Sequence, residues 1–224
     1  MKHHGGAAKH QLAIENLEFL EKGLPNLVKH LENITIKFGL PALVAINRFP
    51  TDTDAELQLI AAKCKELGAN IVLSEVWSKG GQGGVDLAKG VIRLTESTTG
   101  QWKCTYPNEL PIQQKIESIV REIYGGAGVD FDTAALKEIE RLEANGFANL
   151  PVCMAKTQYS FSDDPRKLGQ PQNFRIKVRN VKVAAGAGFI IAITGEIMTM
   201  PGLPKIPAAE KIDVDSTGKI SGLF

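Results

Sequence analysis

The sequence predicts an α/β protein: a mostly parallel sheet flanked by helices, with a helical extension at its N-terminus and a strand-rich C-terminal segment. Three observations carry this. Short apolar runs alternate with amphipathic helical segments from residue 39 onward, the pattern of strand–helix–strand units with right-handed crossovers. Residues 9–38 instead repeat Leu12, Leu17, Leu20, Leu24, Leu27, Leu31 and Ile34 at helical spacing. Beyond residue 150 the apolar runs follow one another with polar or glycine-rich links and no helix pattern between them. The division expected is residues 1–38 as a helical segment and 39–224 as the α/β domain.

Taken in order, the helical face of residues 9–38 is interrupted by Gly23 and Pro25, which predicts two helices with a break. Such a face needs a cover. Pro41 to Ile46 reads as a strand, and Thr53-Asp-Ala-Glu56 is a capping box opening a helix that ends near Leu67, with Gly68 as its left-handed terminator. Asn70 to Val76 reads as a second strand, followed by a glycine-rich loop and a helix over about 84–96. Residues 98–110 are irregular. Pro111 opens a helix with Ile112, Ile116, Ile119, Val120 and Ile123 on one face, broken at Gly125 to Gly128. Asp132 caps a further helix closed by Asn145-Gly146. Strands are expected over Pro151 to Lys156, Phe174 to Val183 and Gly188 to Thr194. A turn-rich tail from Met200 ends in a small hairpin around Ser216-Thr-Gly218.

The bulk numbers exclude several classes. A formal net charge of +1 gives no electrostatic basis for binding nucleic acid or an anionic membrane surface. No apolar run reaches the roughly 18 residues of a membrane helix, and the N-terminus lacks the apolar stretch of a secretory leader. Cys64, Cys104 and Cys153 lie far apart with no Cys-x-x-Cys spacing, which favours reduced cysteines in a cytoplasmic protein over a disulfide framework or zinc site. All four histidines fall within the first 30 residues, so no nucleophile–histidine–acid arrangement can be assembled. No catalytic residue and no metal ligand is assigned.

The sharpest candidate site is an aromatic pair. Phe49 follows the first predicted strand and Trp77 the second, and the helix between them makes those strands parallel. Both rings then lie at the carboxyl edge of one sheet, where open α/β sheets bind ligands. Adjacent strands are about 4.8 Å apart and next neighbours about 10 Å, so two such rings span a flat heterocycle. Aromatics at strand ends are more often core residues. Here, however, Asn47 and Arg48 adjoin one ring and Ser78 and Lys79 the other, residues ill suited to a core. By alternation Leu73, Glu75 and Trp77 share a face. Two further features are weaker. Lys79-Gly-Gly-Gln-Gly-Gly84 matches neither the phosphate loop nor the dinucleotide fingerprint and reads as a flexible turn. Asp163 and Asp164 before Pro165 read as turn formers rather than metal ligands.

Several strings of this chain resemble the formate–tetrahydrofolate ligases. They are Met1-Lys-His-His-Gly-Gly6, which resembles the end of the signature Val-Ala-Thr-Ile/Val-Arg-Ala-Leu-Lys-x-His/Asn-Gly-Gly with Met in the leucine position; Val44-Ala-Ile-Asn-Arg-Phe-Pro-Thr-Asp-Thr53; Ser74-Glu-Val-Trp-Ser-Lys-Gly-Gly81; Cys153-Met-Ala-Lys-Thr-Gln-Tyr-Ser160; and Met198-Thr-Met-Pro-Gly-Leu-Pro204. The resemblance covers the whole chain but part of the family's length. It implies synthesis of 10-formyltetrahydrofolate from formate, tetrahydrofolate and magnesium ATP by way of formyl phosphate. It also implies that Phe49 and Trp77 flank the pterin ring, with Asn47, Pro50 and Leu73 as neighbouring wall residues.

The family's phosphate-binding loop lies upstream of the matched strings. The expectation is therefore a C-terminal portion that supplies the tetrahydrofolate clamp, lacks the ATP site, is inactive alone, and partners a missing N-terminal domain, on which the helical segment 1–38 would pack, in a homo-oligomer. The alternative is a non-catalytic folate-binding or interaction subunit that completes a separately encoded N-terminal half. A free-standing nucleotide-binding enzyme would need a phosphate loop that these residues do not show.

Overall fold

The structure, a computed structural model, describes residues 1–197 and 205–222. The expected turn-rich stretch at Met200 and the Met198–Pro204 string lie outside the described residues. The chain is a mixed α/β protein in which the strands form two principal sheets rather than one. Strands β1 (Leu43–Asn47) and β2 (Asn70–Ser74) pair in parallel as a two-stranded sheet. Strands β3 (Gly128–Phe131), β4 (Val152–Ala155), β5 (Arg175–Ala184) and β6 (Phe189–Thr194) form a four-stranded sheet in the order β3-β5-β6-β4. In it β3 with β5 and β4 with β6 are parallel, while β5 and β6 are an antiparallel hairpin. A small hairpin, β7 (Asp213–Val214) with β8 (Ile220–Ser221), flanks the expected turn at Ser216-Thr-Gly218.

Helix α1 runs unbroken from Leu17 to Glu32 and continues into a π-helical turn over Asn33–Lys37, so the break expected at Gly23 and Pro25 does not occur. Pro25 sits on the exposed side, where its ring meets solvent. Gly23 serves close approach: a Cβ there would lie 2.2 Å from the Met1 carbonyl oxygen. Leu20 and Leu24 pack with Ile60 and Cys64 of α2 (Asp54–Glu66), while Leu17 and Ile34 of the same predicted face remain exposed. α1 and α2 thus cover one face of the β1–β2 pair. The other face meets α4 (Val85–Ser97) at Gly90, where a Cβ would press on Leu43 and Val72 at 3.1 Å.

The capping box forms as expected, with Thr53 Oγ1 accepting the Glu56 N–H and the Glu56 carboxylate accepting the Thr53 N–H. Strand β2 ends at Ser74, two residues earlier than the sequence suggests. Val76–Lys79 is a short helical turn, α3. Trp77 is therefore placed by a helical turn and not by strand alternation.

Helices α5 (Ile112–Ile119) and α6 (Thr133–Ala144) cover the four-stranded sheet. Ile112, Ile116, Ile139, Ile176, Val178, Val181 and Ile190 are wholly buried between the layers. Strand β5 shows how sequence sets this packing. Ile176 and Val178 point inward while Arg175, Lys177 and Arg179 face water. A bulge between Val178 and Asn180 then adds one residue, and Val181 becomes the next buried residue. Without that extra residue the second half of the strand would present its valines to solvent. Asp132 holds the N-cap position of α6, but its carboxylate pairs with Lys177 at 3.0 Å instead of bonding the helix N–H groups. Strand β3 escaped the sequence reading: four residues beginning with glycine give too little alternation to detect.

Candidate functional site

The carboxyl ends of β1 and β2 lie side by side, with Asn47 opposite Ser74 and Ile46 opposite Leu73. The Arg48 N–H extends the pairing by donating to the Ser74 carbonyl at 2.9 Å. The chain then turns sharply. The Phe49 N–H donates to Asp52 Oδ2 at 2.8 Å, and the Asp52 N–H returns to the Phe49 carbonyl at 3.0 Å. Pro50 occupies the second position of this turn, where its fixed φ is pre-set for the bend. The turn leads directly into the capping box of α2, so both ends of the segment carrying Phe49 are anchored.

Trp77 is held by a different device. The Ser78 and Lys79 N–H groups both donate to the Glu75 carbonyl, closing one helical turn around the tryptophan. Beyond it the glycine-rich segment folds back, and the Glu75 N–H donates to the Gly83 carbonyl at 3.0 Å. A Cβ on Gly83 would lie 2.3 Å from the Glu75 carbonyl oxygen, so only glycine permits this approach. The Glu75 carboxylate pairs with Lys79 at 2.5 Å and reaches Arg48 at 4.0 Å. The Lys79 hydrogen bond holds that carboxyl below the usual range. Arg48 also bonds Asp54 at 3.1 Å, linking the ends of both strands and the start of α2.

These anchors leave Phe49 45% and Trp77 63% exposed, with ring centroids 6.5 Å apart and planes inclined at 54°. Two aromatic faces that grip a flat ring stand about 7 Å apart, twice a carbon contact distance. The separation suits such a guest, and the tilt is closed by side-chain rotation, which exposed residues make on the ps–ns scale. Of the five residues the sequence singled out, Phe49 and Trp77 face each other. Asn47 and Pro50 adjoin Phe49 on the chain. Leu73 lies one residue before the end of β2, half-buried and opposite Ile46.

Asn47 and Phe49 also line a cavity of about 360 Å³ with Lys2, Asp52 and Glu56, which the sequence reading did not single out. Glu56 is 3% exposed and accepts the Asn16 N–H at 2.9 Å and the Lys2 ammonium at 2.9 Å. Burial pushes its carboxyl up, but the Asn16 N–H, Lys2 and the Thr53 N–H together outweigh burial and hold it below the usual range. Lys2 sits in the Met-Lys-His-His-Gly-Gly string, the one signal that pointed to it. In the Thr157–Asn173 loop, Asp163 Oδ2 accepts the Lys177 N–H. Asp164 accepts the Arg166 N–H and guanidinium, which hold its carboxyl down at about 2. Asp164 serves the turn, whereas Asp163 ties the loop to β5. No group of three or more His, Cys, Asp or Glu placed to hold a metal ion occurs among the described residues.

The fold and this edge define a mixed α/β protein with an open aromatic pair where two parallel strands end, the geometry of a site for a flat ligand. The chain belongs to the formate–tetrahydrofolate ligase family, whose family model matches residues 1–224. The family is one of ligases in folate one-carbon metabolism, with tetrahydrofolate and ATP among its substrates. No helix among the described residues is long and apolar enough to cross a membrane.

Proposed function

We propose that Phe49 and Trp77 grip the pterin ring of tetrahydrofolate, so that this chain supplies the folate-binding clamp of an ATP-dependent formate–tetrahydrofolate ligase. The observation that carries the reading is the pair itself: two exposed rings 6.5 Å apart, each on a separately anchored turn at the carboxyl edge of β1 and β2. Stacking on an aromatic face is worth roughly 1–3 kcal/mol per heterocycle, and two faces also keep water from both sides of the ring. Asn47 and Asp52 border the cavity beside Phe49 and offer hydrogen-bonding groups to the polar edge of a pterin. The reaction in which the clamp takes part is formylation of tetrahydrofolate at N10 by formyl phosphate made from formate and ATP. Residues 1–224 contain no Gly-x-x-x-x-Gly-Lys-Ser/Thr string. They do not fit the phosphates of magnesium ATP through such a loop, and no phosphoryl-transfer step is assigned to them.

The test uses the intrinsic tryptophan. Replacing Trp102 with Phe leaves Trp77 as the sole reporter. Tetrahydropterin and tetrahydrofolate are expected to quench it saturably. Phe49→Ala should weaken the binding of both by about tenfold or more, as loss of one stacking face implies. Undiminished affinity in Phe49→Ala and, by calorimetry, in Trp77→Ala would exclude the clamp.

A further inference from the structure

A second cavity, of about 270 Å³, opens next to the first and shares two of its lining residues, Asn26 and His30. It lies between α1 with its π-helical extension and the loop that follows β4. Its polar lining includes His4, Asn33, Lys156 and Gln158 together with the shared pair, and no carboxylate lines it. The two cavities treat their lysines in opposite ways. Lys2 in the first is neutralised by Glu56 at 2.9 Å. None of the ion pairs among the described residues includes Lys156. Its ammonium donates to the carbonyls of Thr157 and Ser160 and stands 5.1 Å from the centroid of the Tyr124 ring. Carbonyls and a π-face solvate a cation but do not cancel its charge.

The neighbours are arranged around this charge. His4 accepts the Gly169 N–H at Nδ1, which leaves Nε2 as the donor of a neutral ring. The His30 ring rests against Phe161 with centroids 4.7 Å apart. Burial lowers the basicity of both imidazoles and pushes Lys156 down to about 8. Asn33 is 4% exposed. Its amide is oriented by the Nδ2 bond to the Ile123 carbonyl at 2.8 Å, and its Oδ1 has no hydrogen-bond partner. A lysine in no direct ion pair, with Asp163 acting on it only from a distance, and two imidazoles match a negatively charged group, and the unpartnered Asn33 acceptor suits one that also keeps a hydroxyl.

We propose that this second cavity is a subsite for a small anionic group, a carboxylate or a phosphate, held by Lys156 with His4 and His30; a phosphate that keeps a hydroxyl can also donate to Asn33 Oδ1. Two sources share that chemistry. Because Asn26 and His30 line both cavities, one source is the carboxylate-bearing tail of the folate whose pterin sits between Phe49 and Trp77. That source rests on the clamp reading. The other, free phosphate, does not.

The experiment has two arms on the 224-residue chain. In the first, inorganic phosphate is titrated while the histidine ring resonances are followed by two-dimensional NMR. His4 and His30 should shift saturably, with His10 unmoved. Lys156→Met should abolish the response and Lys156→Arg should keep it. Because Lys156 also anchors the loop at Thr157 and Ser160, His30→Gln is the second variant. It leaves those bonds in place and should weaken phosphate at least threefold.

In the second arm, affinities for tetrahydrofolate and for tail-less tetrahydropterin are compared. The preference for tetrahydrofolate should fall about tenfold in Lys156→Met. A fall assigns the subsite to the folate tail, and a phosphate response without a fall assigns it to a free anion. Absence of both effects overturns the proposal. If Trp77→Ala leaves tetrahydropterin binding intact, the clamp fails, and the phosphate arm still decides the subsite.

Discussion

The two halves of this molecule are built to different standards. Around the four-stranded sheet, α5 and α6 close a core in which Phe174, Ile176, Val178 and Ile190 are at most 1% exposed. Around the β1–β2 pair the buried cluster is Leu20, Leu24, Ile60 and Cys64, and Val76, Val91 and Ile92 lie open to solvent beside it. The aromatic pair stands on the second, thinner half. A two-stranded sheet has little packing of its own, and what fixes Phe49 and Trp77 is local: a β-turn tied by the Asp52 side chain, a capping box, one helical turn and the Arg48–Glu75–Lys79 charges. The densely packed half supplies rigidity, while the thin half supplies an edge whose rings are free to turn.

The comparison breaks most easily at the cores. Phe174→Ala is expected to cost about 3–5 kcal/mol, because its cavity is walled by helices and strands that cannot collapse. Ile60→Ala should cost nearer 2 kcal/mol, since the smaller cluster relaxes toward solvent. Urea unfolding measures both. Hydrogen exchange sharpens the contrast: amides of β5 and β6 should exchange only by global opening, and those of β1 and β2 by a cheaper local one. Equal protection in the two sheets would erase the distinction.

A smaller effect comes from Lys156, which the fold half-buries in no direct ion pair, so that burial outweighs the attraction of the Asp163 carboxylate. The unfolded lysine keeps its proton to the usual 10.5, while the folded one releases it near 8. Between those values the unfolded state binds more protons, so stability rises with pH. Relative to Lys156→Met, the wild type should gain about 1–2 kcal/mol from pH 8 to 10.5, after allowance for the partial exposure of the group. Denaturant melts at the two pH values report the difference, and a flat difference would mean the ammonium is not desolvated. Smaller still is Thr53→Ala, which removes one cap and should cost about 1 kcal/mol, felt in the thin half.

How much of this the sequence discloses follows from the range of the interactions. The capping box at Thr53, the glycine stop at Gly68 and the apolar stripe of α5 are local, and each was legible. The division into two sheets depends on which strands pair across the chain, which periodicity does not encode. Pro25 inside α1 misleads because tertiary packing of Leu20 and Leu24 outweighs one lost N–H bond. The aromatic pair was readable because each ring lies within three residues of a strand end, although Trp77 reaches its place by a helical turn. The grouping at Lys156 was not readable. It gathers His4, the neighbouring His30 and Asn33, and Lys156 from three segments far apart in sequence, and the strings that hold His4 and Lys156 do not show that they meet.

The central claim is that the open edge holds a pterin between two rings. Its most direct measurement is the proton NMR spectrum of tetrahydropterin titrated with the chain and with Phe49→Ala and Trp77→Ala. A ring stacked between both aromatics shows its C6 and C7 protons moved upfield by ring currents from both faces, with the shift reduced in each variant and nuclear Overhauser contacts to both side chains. Ligand resonances that stay in place, or that move equally in the wild type and in both variants, would contradict the account.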